Sequence, residues 1–287
     1  MKKFKLLLSV ATAFLLAACS TTPTKTQTTW QKIEAAGTIK VATPGTLYPT
    51  SYKNDQNALV GYEIDMMNEI AKRLNLKVEY TEIGVAEALT SVDSGKVDIS
   101  INNFTPTKER AEKYNLSESY KYSIGGMIVR ADDSSNITAT DLSDWKGKKA
   151  GGGAGTTFMK ITKKLGGEPV IYDNVTNDVY LRDVSTGRTD FVPNDYFTQV
   201  IAVKLITEKF PDIKVKMGNV KYNPSESVII MSKTDTSLKE KIDGVIAQMK
   251  ADGTLKAISE KYYAGQDLSK PLDNVEQYPV VDFSDVE

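Results

Sequence analysis

Between Ile39 and Tyr263 the apolar residues of this chain switch repeatedly between a strand period and a helix period. Ile39–Ala42 is a short β-prone run, and residues 61–74 place Ile64, Met67, Ile70, Ala71 and Leu74 on one helical stripe. Lys77–Tyr80 reads as a strand and Glu87–Asp93 as a helix. After a turn at Ser94-Gly95, the strict alternation of Val97-Asp98-Ile99-Ser100-Ile101 predicts a half-buried strand. Strands that alternate with helices in this way argue for an α/β domain with a largely parallel sheet.

The rhythm is interrupted and then restarts. Tyr120–Arg130 is β-prone but carries Gly125-Gly126, and the polar loop Asp132–Thr140 follows. The pattern then predicts a strand at Lys148–Ala150, a helix from about Thr157 and a strand at Val170–Tyr172. A helix at Asp178–Thr186, a strand at Thr189–Val192 and a helix at Asp195–Phe210 complete a second block. Ser227–Ser232 reads as a strand, with helices at Leu238–Met249 and Thr254–Tyr263 punctuated by Gly253. No internal repeat goes beyond this shared rhythm, and periodicity alone yields two α/β blocks.

The first nineteen residues have a different logic. Lys2, Lys3 and Lys5 precede the apolar run Leu6–Leu16, which ends in Leu16-Ala17-Ala18-Cys19. A basic start, a short apolar stretch and small residues make an export signal, too short to remain as a membrane span. The cysteine after the small residues resembles the lipobox of bacterial lipoproteins, in which the thiol is acylated (palmitate is the usual fatty acid) and becomes the new N-terminus. On this reading residues 1–18 are the signal peptide. Residues 19–29, polar and Thr-rich, form a flexible tether, with order expected from Trp30 or Ile33. The body is then held by lipid at the extracytoplasmic face of a bacterial cell membrane.

Composition closes several routes. Export removes three lysines and no acid, leaving 33 basic and 37 acidic side chains, a formal charge of −4. Mild acidity gives no footprint for nucleic acid. The chain has no histidine and one cysteine. That excludes Ser-His-Asp triads, HExxH zinc sites, cysteine-based metal or nucleophile sites and an internal disulfide. No cofactor or metal is implied. Gly151-Gly152-Gly153-Ala154-Gly155 fits neither GxGxxG nor GxxxxGK[ST], which makes nucleotide binding a weak alternative.

The strongest internal motif is Gly61-Tyr62-Glu63-Ile64-Asp65-Met66, continuing to Ile70-Ala71 and Leu74. It resembles the signature of the family 3 extracellular solute-binding proteins, the amino-acid receptors of bacterial ABC importers. Further segments fall in that family's order: Ile39–Pro49, Ser94–Asp98, Thr105–Arg110, Gly147–Lys149 with Gly155–Thr157, Gly187–Asp190 with Asn194-Asp195, and Ala251–Thr254 with Lys261–Tyr263. Together they span about residues 37–265. The resemblance implies an α/β, two-lobed periplasmic-binding-protein-like (type II) fold with two crossover hinge strands. Lobe 1 would comprise residues 30–125 and 225–287, the latter with the C-terminal tail, and lobe 2 residues 126–224. Gly125-Gly126 and Asn219–Ser225 fall where hinges are expected.

The resemblance also implies a site. An amino acid presents a carboxylate and an ammonium at a fixed separation. Arg110 suits the carboxylate, because its planar fork makes two charge-assisted hydrogen bonds at once. Thr105 and Asn103 match positions where the family donates further hydrogen bonds, and Asp195 matches the carboxylate that takes the ammonium. Thr156 and Thr157 open a helix whose free N–H groups favour an anion. An aromatic from the first loop often sandwiches the ligand, and Tyr48 or Tyr52 is placed to serve. Val85 stands where a second aromatic is common. Taken singly, an arginine after Lys-Glu is ordinarily a solvated charge, and an aspartate at a helix start is ordinarily an N-cap.

The implied function is a lipid-anchored receptor, not an enzyme. It would capture a free amino acid, polar or sulfur-containing with cystine a candidate, and deliver it to an ABC permease. Asn102-Asn103 before Phe104, with Thr107–Arg110, leans toward the cystine and sulfur-compound branch. The expected protein is monomeric and contacts the membrane only through its lipid. The alternatives are a family-related dehydratase or peptidoglycan-cleaving enzyme, and a sensory or adhesive surface lipoprotein.

Overall fold

The computed structural model describes residues 27–286. The export signal, Cys19 and most of the tether therefore lie outside the described residues. Helix α1 (Thr29–Ala36) starts at what the sequence assigns to the tether, because Thr28 accepts from the Gln31 N–H while the Gln31 side chain accepts from Thr28 in return. Such a reciprocal box satisfies two N–H groups that a helix start leaves free.

Strand β1 (Thr38–Thr43) follows, then a small antiparallel meander of β2 (Thr46–Leu47), β3 (Ser51–Lys53) and β4 (Leu59–Val60). Helix α2 (Tyr62–Arg73) carries the predicted stripe, with Ile64, Met66, Met67, Ile70 and Ala71 buried. Gly61 precedes it at φ 137°, where a Cβ would sit 2.3 Å from the Thr50 carbonyl oxygen. Only glycine fits that backbone contact. Next come β5 (Lys77–Glu82), α3 (Val85–Asp93), β6 (Ile99–Phe104), α4 (Lys108–Lys113) and β7 (Tyr114–Leu116). The long strand β8 (Lys121–Arg130) leaves this part of the molecule.

The second block runs β9 (Lys149–Gly153), α5 (Thr157–Lys164), β10 (Glu168–Tyr172), α6 (Asn177–Ser185), β11 (Phe191–Asp195), α7 (Tyr196–Lys209) and β12 (Val215–Met217). The second long strand, β13 (Tyr222–Ser232), returns, and α8 (Thr236–Ala251) and α9 (Thr254–Tyr262) follow. The main sheet runs β10-β9-β11-β8-β13-β6-β1-β5, with β12 beside β8 and β7 beside β13. The outer pairs at both ends are parallel, while β8, β13 and their neighbours are antiparallel.

Each lobe carries two clusters of core residues, and the main cluster of each shows the division. One gathers Val41, Met67, Ile70, Ile99, Leu238 and Ile242, and the other is built on Trp145, Phe191 and Tyr222. β8 and β13 pair with each other from Lys121–Ser227 to Gly125–Tyr222 and carry the chain between them. Gly125 serves this pairing by its size: a Cβ there would meet the Tyr222 ring and carbonyl oxygen at 2.8 Å.

The tail does something the sequence pattern did not announce. Leu268 lies in the first core, and its carbonyl accepts from the Tyr122 N–H at 2.8 Å. Farther on, the chain crosses back over β13. The Asn223 N–H donates to the Pro279 carbonyl at 2.8 Å, and its side chain brackets Val281 with bonds of 2.8 and 2.9 Å. Val281 and Phe283 then pack against the second core, and Lys164 meets Asp285 at 2.7 Å. No helix among the described residues is long and apolar enough to cross a membrane.

Candidate functional site

A cavity of about 140 Å³ lies between the two lobes, walled by Asn103, Phe104 and Arg110 on one side and Gly153, Thr156 and Gln199 on the other. Arg110 reaches it from the short helix α4, whose first turn is capped by the Thr107 hydroxyl. Its guanidinium lies 5.0 Å from the centre of the Phe104 ring. Nη1 donates to the Thr105 carbonyl at 3.0 Å and Nη2 to the Gly155 carbonyl, across the cavity, at 3.2 Å. The side chain is buried, and among the described residues no carboxylate forms an ion pair with it. Burial draws its pKa down to about 10, against the pull of Glu109 and Tyr114. The group stays charged at neutral pH, so a buried cation lines the cavity with two neutral carbonyls as its hydrogen-bond acceptors. Burying an unpaired charge is costly, and an anion entering the cavity would relieve it.

The start of α5 forms part of the opposite wall. Thr156 caps α5, its hydroxyl accepting from the Met159 N–H at 3.4 Å and donating to the Gly153 carbonyl at 3.0 Å. Thr157 begins the helix and is buried. Gly151–Gly153 lies in strand β9, and the Gly155 group that meets Arg110 is its carbonyl.

The other sequence-derived candidates fall differently. Asn103 lines the cavity, yet its polar groups are committed: N–H to Glu63 at 2.7 Å, Nδ2 to the Thr50 hydroxyl at 3.3 Å, and Oδ1 to Lys121 at 2.9 Å. Thr105 acts through its carbonyl on Arg110 and does not line the cavity. Tyr48 also stands outside the lining, edge-on to Tyr52 at 4.6 Å, while its neighbour Leu47 faces in. The rings that do line it, Phe104, Phe158, Tyr172 and Tyr180, were not singled out by the sequence.

Asp195 ends β11 and caps α7, with Oδ1 accepting from the Thr198 N–H at 2.8 Å. Its Oδ2 lies 2.9 Å from Lys121 Nζ. Both side chains are buried and neither lines the cavity. Burial works to raise the Asp195 pKa, but Lys121 and its hydrogen bonds hold it below the usual carboxylate value. The sequence alone does not single out Lys121. A lysine inside a β-prone run reads as solvent-facing, and nothing local marks this one as buried.

The lobes also touch around the cavity rim. The Thr46 hydroxyl donates to Asn174 Oδ1 at 3.0 Å, Asn174 Nδ2 donates to the Pro44 carbonyl at 2.9 Å, and the Tyr48 N–H donates to Asn177 Oδ1 at 2.7 Å. Lys160 meets Glu109 at 2.6 Å. The cleft is closed in this structure.

The family model for "Bacterial extracellular solute-binding proteins, family 3" matches residues 39–265. The chain belongs to that family. It is 42% identical over 271 residues, 92% of each chain, to the probable ABC transporter extracellular-binding protein YckB of Bacillus subtilis strain 168. The L-cystine-binding protein TcyJ of Escherichia coli K12 is 30% identical over 267 residues, 92% of this chain and 96% of TcyJ. Among solved structures, that of Bacillus subtilis YckB superposes with a TM-score of 0.67 at 43% identity, covering 88% of this chain and 99% of the other. An ancestral arginine-binding protein bound to arginine gives a TM-score of 0.70 at 28% identity over 79% and 98%. The periplasmic-binding-protein-like fold expected of the chain is therefore its fold, and solute-binding proteins of this family are extracytoplasmic. YckB and TcyJ are both named as binding proteins.

Proposed function

We propose that this chain is the ligand-capturing component of an ABC importer for an amino acid, polar or sulfur-containing, with cystine a candidate. The observation that carries the reading is Arg110, a buried guanidinium on the cavity wall with no anionic partner among the described residues. It would take the ligand carboxylate, with Thr156 and Thr157 at the start of α5 opposite, and Asn103 and Thr105 holding the Arg110 side of the wall. The rim bonds from Asn174 and Asn177 to residues 44–48 support a closed, ligand-retaining state. Asp195 stands one layer behind the wall, so its contribution to the nitrogen end of the ligand passes through Lys121. The protein would act without turnover, as a monomer tethered through lipid on Cys19, and hand its ligand to a transmembrane permease.

A thermal-shift screen of the mature protein against all amino acids, cystine and their N-acetylated forms tests this. A ligand at one hundred times its Kd stabilises by about 2.7 kcal/mol, an easily measured rise in Tm. A panel in which no carboxylate shifts the melting curve at millimolar concentration refutes the reading.

A further inference from the structure

The C-terminal tail ties the two lobes together by a third route, beside β8 and β13. At its start Leu268 is buried in the first core, its N–H donates to the Ser259 hydroxyl at 2.9 Å, and its carbonyl accepts from the Tyr122 N–H at 2.8 Å. Leu272 packs against the same core. A short turn of 3-10 helix, Val275–Gln277, then leads to the other lobe. There Val281 and Phe283 are half-buried against the second core, while Val280, Asp282 and Ser284 are exposed. Such alternation is that of a strand laid on a surface. Among the residues lining the cavity none comes from the tail.

What the tail grips is the hinge. β13 pairs with β8 at Tyr222–Gly125 and again at Ser225–Ser123, so Asn223 and Pro224 stand opposite Ile124 alone. Two residues against one make a bulge, where a strand bends. Pro224 has no N–H, and the Asn223 N–H turns to the tail, meeting the Pro279 carbonyl at 2.8 Å. The Asn223 side chain takes both backbone groups of Val281, Oδ1 accepting from its N–H at 2.8 Å and Nδ2 donating to its carbonyl at 2.9 Å. Asn223 holds this pose at φ 44°, in the left-handed region. Hinges open by φ/ψ changes at a few residues of the connecting segments. A change at Asn223 would re-aim its N–H and its side chain together, so the three bonds cannot all survive it. They are made here in the same structure as the rim bonds that close the cleft.

We propose that the C-terminal tail is a splint on the hinge: seated on Asn223, it holds β13 in the conformation of the closed cleft, and wide opening of the lobes requires the tail to lift from the second lobe. Tail seating and lobe closure are then coupled, each favouring the other. The splint acts on the hinge whichever ligand the cavity takes.

Pulsed electron–electron resonance on the unliganded protein tests this. The chain has one cysteine, so a Cys19→Ser protein takes nitroxide labels only at Lys108→Cys and Ile171→Cys, exposed positions on the first and second lobes. Removing residues 279–287 should raise the ratio of long to short interlobe distances at least about fivefold, the lower end of ordinary coupling between two sites. If the shortened chain does not fold, Asn223→Asp takes its place. Aspartate also tolerates the left-handed backbone but cannot donate to the Val281 carbonyl, and it should move the distances in the same direction. As a control, Ile213→Val trims a cluster of the second lobe that the tail does not join, and should lower Tm without moving the distances. A tail that only adds packing would behave like that control. Superimposable or shorter distances in whichever tail variant folds overturn the splint and leave the reading of Arg110 standing.

Discussion

Replacing Arg110 with methionine should make the empty protein more stable while destroying its binding. Burial lowers the guanidinium from its ordinary 12.5 to about 10. At about 1.4 kcal/mol per tenfold change, the charged form carries a cost on the order of 3 kcal/mol. Methionine removes that charge and keeps apolar contact with the Phe104 ring beneath. Against the gain, the carbonyls of Thr105 and Gly155 each lose a donor, at about 1 kcal/mol apiece. The balance is a stabilisation of about 1 kcal/mol, worth roughly 2–4 °C in Tm for a protein of this size. Because the folded-state value remains near 10, the guanidinium is charged at every lower pH. The cost is relieved only as pH rises through that value, so the gap between variant and wild type should be flat from pH 5 to 8. For the ligand, losing one partner of a buried charge pair costs about 2–5 kcal/mol, or roughly thirtyfold to several thousandfold in Kd. Differential scanning fluorimetry without ligand and calorimetry with it read the two effects separately. An Arg110→Met protein that melts well below wild type when empty, or binds within threefold of it, refutes the account of Arg110 as an uncompensated cation awaiting an anion.

Three further outcomes follow from other parts of the molecule. Glu63 is fully buried, and burial pushes its pKa up while Tyr120 and the Asn103 N–H pull the other way. The folded state then holds that proton to higher pH than the unfolded chain does, and stability is lost as pH rises from 4.5 through the raised value. Glu63→Gln should flatten that part of a pH series of melting curves, and an unchanged slope would count against it. Ending the chain before Pro279 removes the half-buried Val281 and Phe283 from the second core, and should cost on the order of 2 kcal/mol. Urea denaturation would show it as a lower midpoint, and an unmoved midpoint would mean the tail is only laid on the surface. Cys19→Ser should release the body from membranes and abolish palmitate labelling, whereas a variant that still sediments with membranes argues against the lipid anchor.

What could be read along the chain was whatever depends on near neighbours. The stripe of α2 and the alternation ahead of β6 are local periodicities, and both elements formed at the expected places, β6 displaced by a few residues. The surroundings of Arg110 are local too: Phe104, Thr105 and Thr107, three of the groups that orient it, lie within six residues. Its role was legible only through the family, whose motifs are short segments in a fixed order, since an arginine after Lys-Glu taken singly reads as a solvated charge. The short strands β2, β3, β4, β7 and β12 were not legible. At two or three residues each they are too brief for a period to show.

Tertiary structure decided the rest, because it depends on registers that join distant segments. Lys121 meets Asp195, 74 positions away, only because β8 runs antiparallel to β11 with Gly125 opposite Asp195. A shift of one residue would turn the lysine to the other face of the sheet. The asparagines that bridge the cavity rim lie about 130 positions from the loop they hold. In sequence they are indistinguishable from any turn residue. The tail gave no sign that it recrosses to the second lobe, since its bonds depend on where Asn223 stands in β13. Local patterning thus determined the longer elements and the two α/β blocks, and the family's motifs pointed to the arginine that lines the cavity. Which charges are already spent within the fold, and hence what chemistry the cavity still has to offer a ligand, was settled only when the strands came into register.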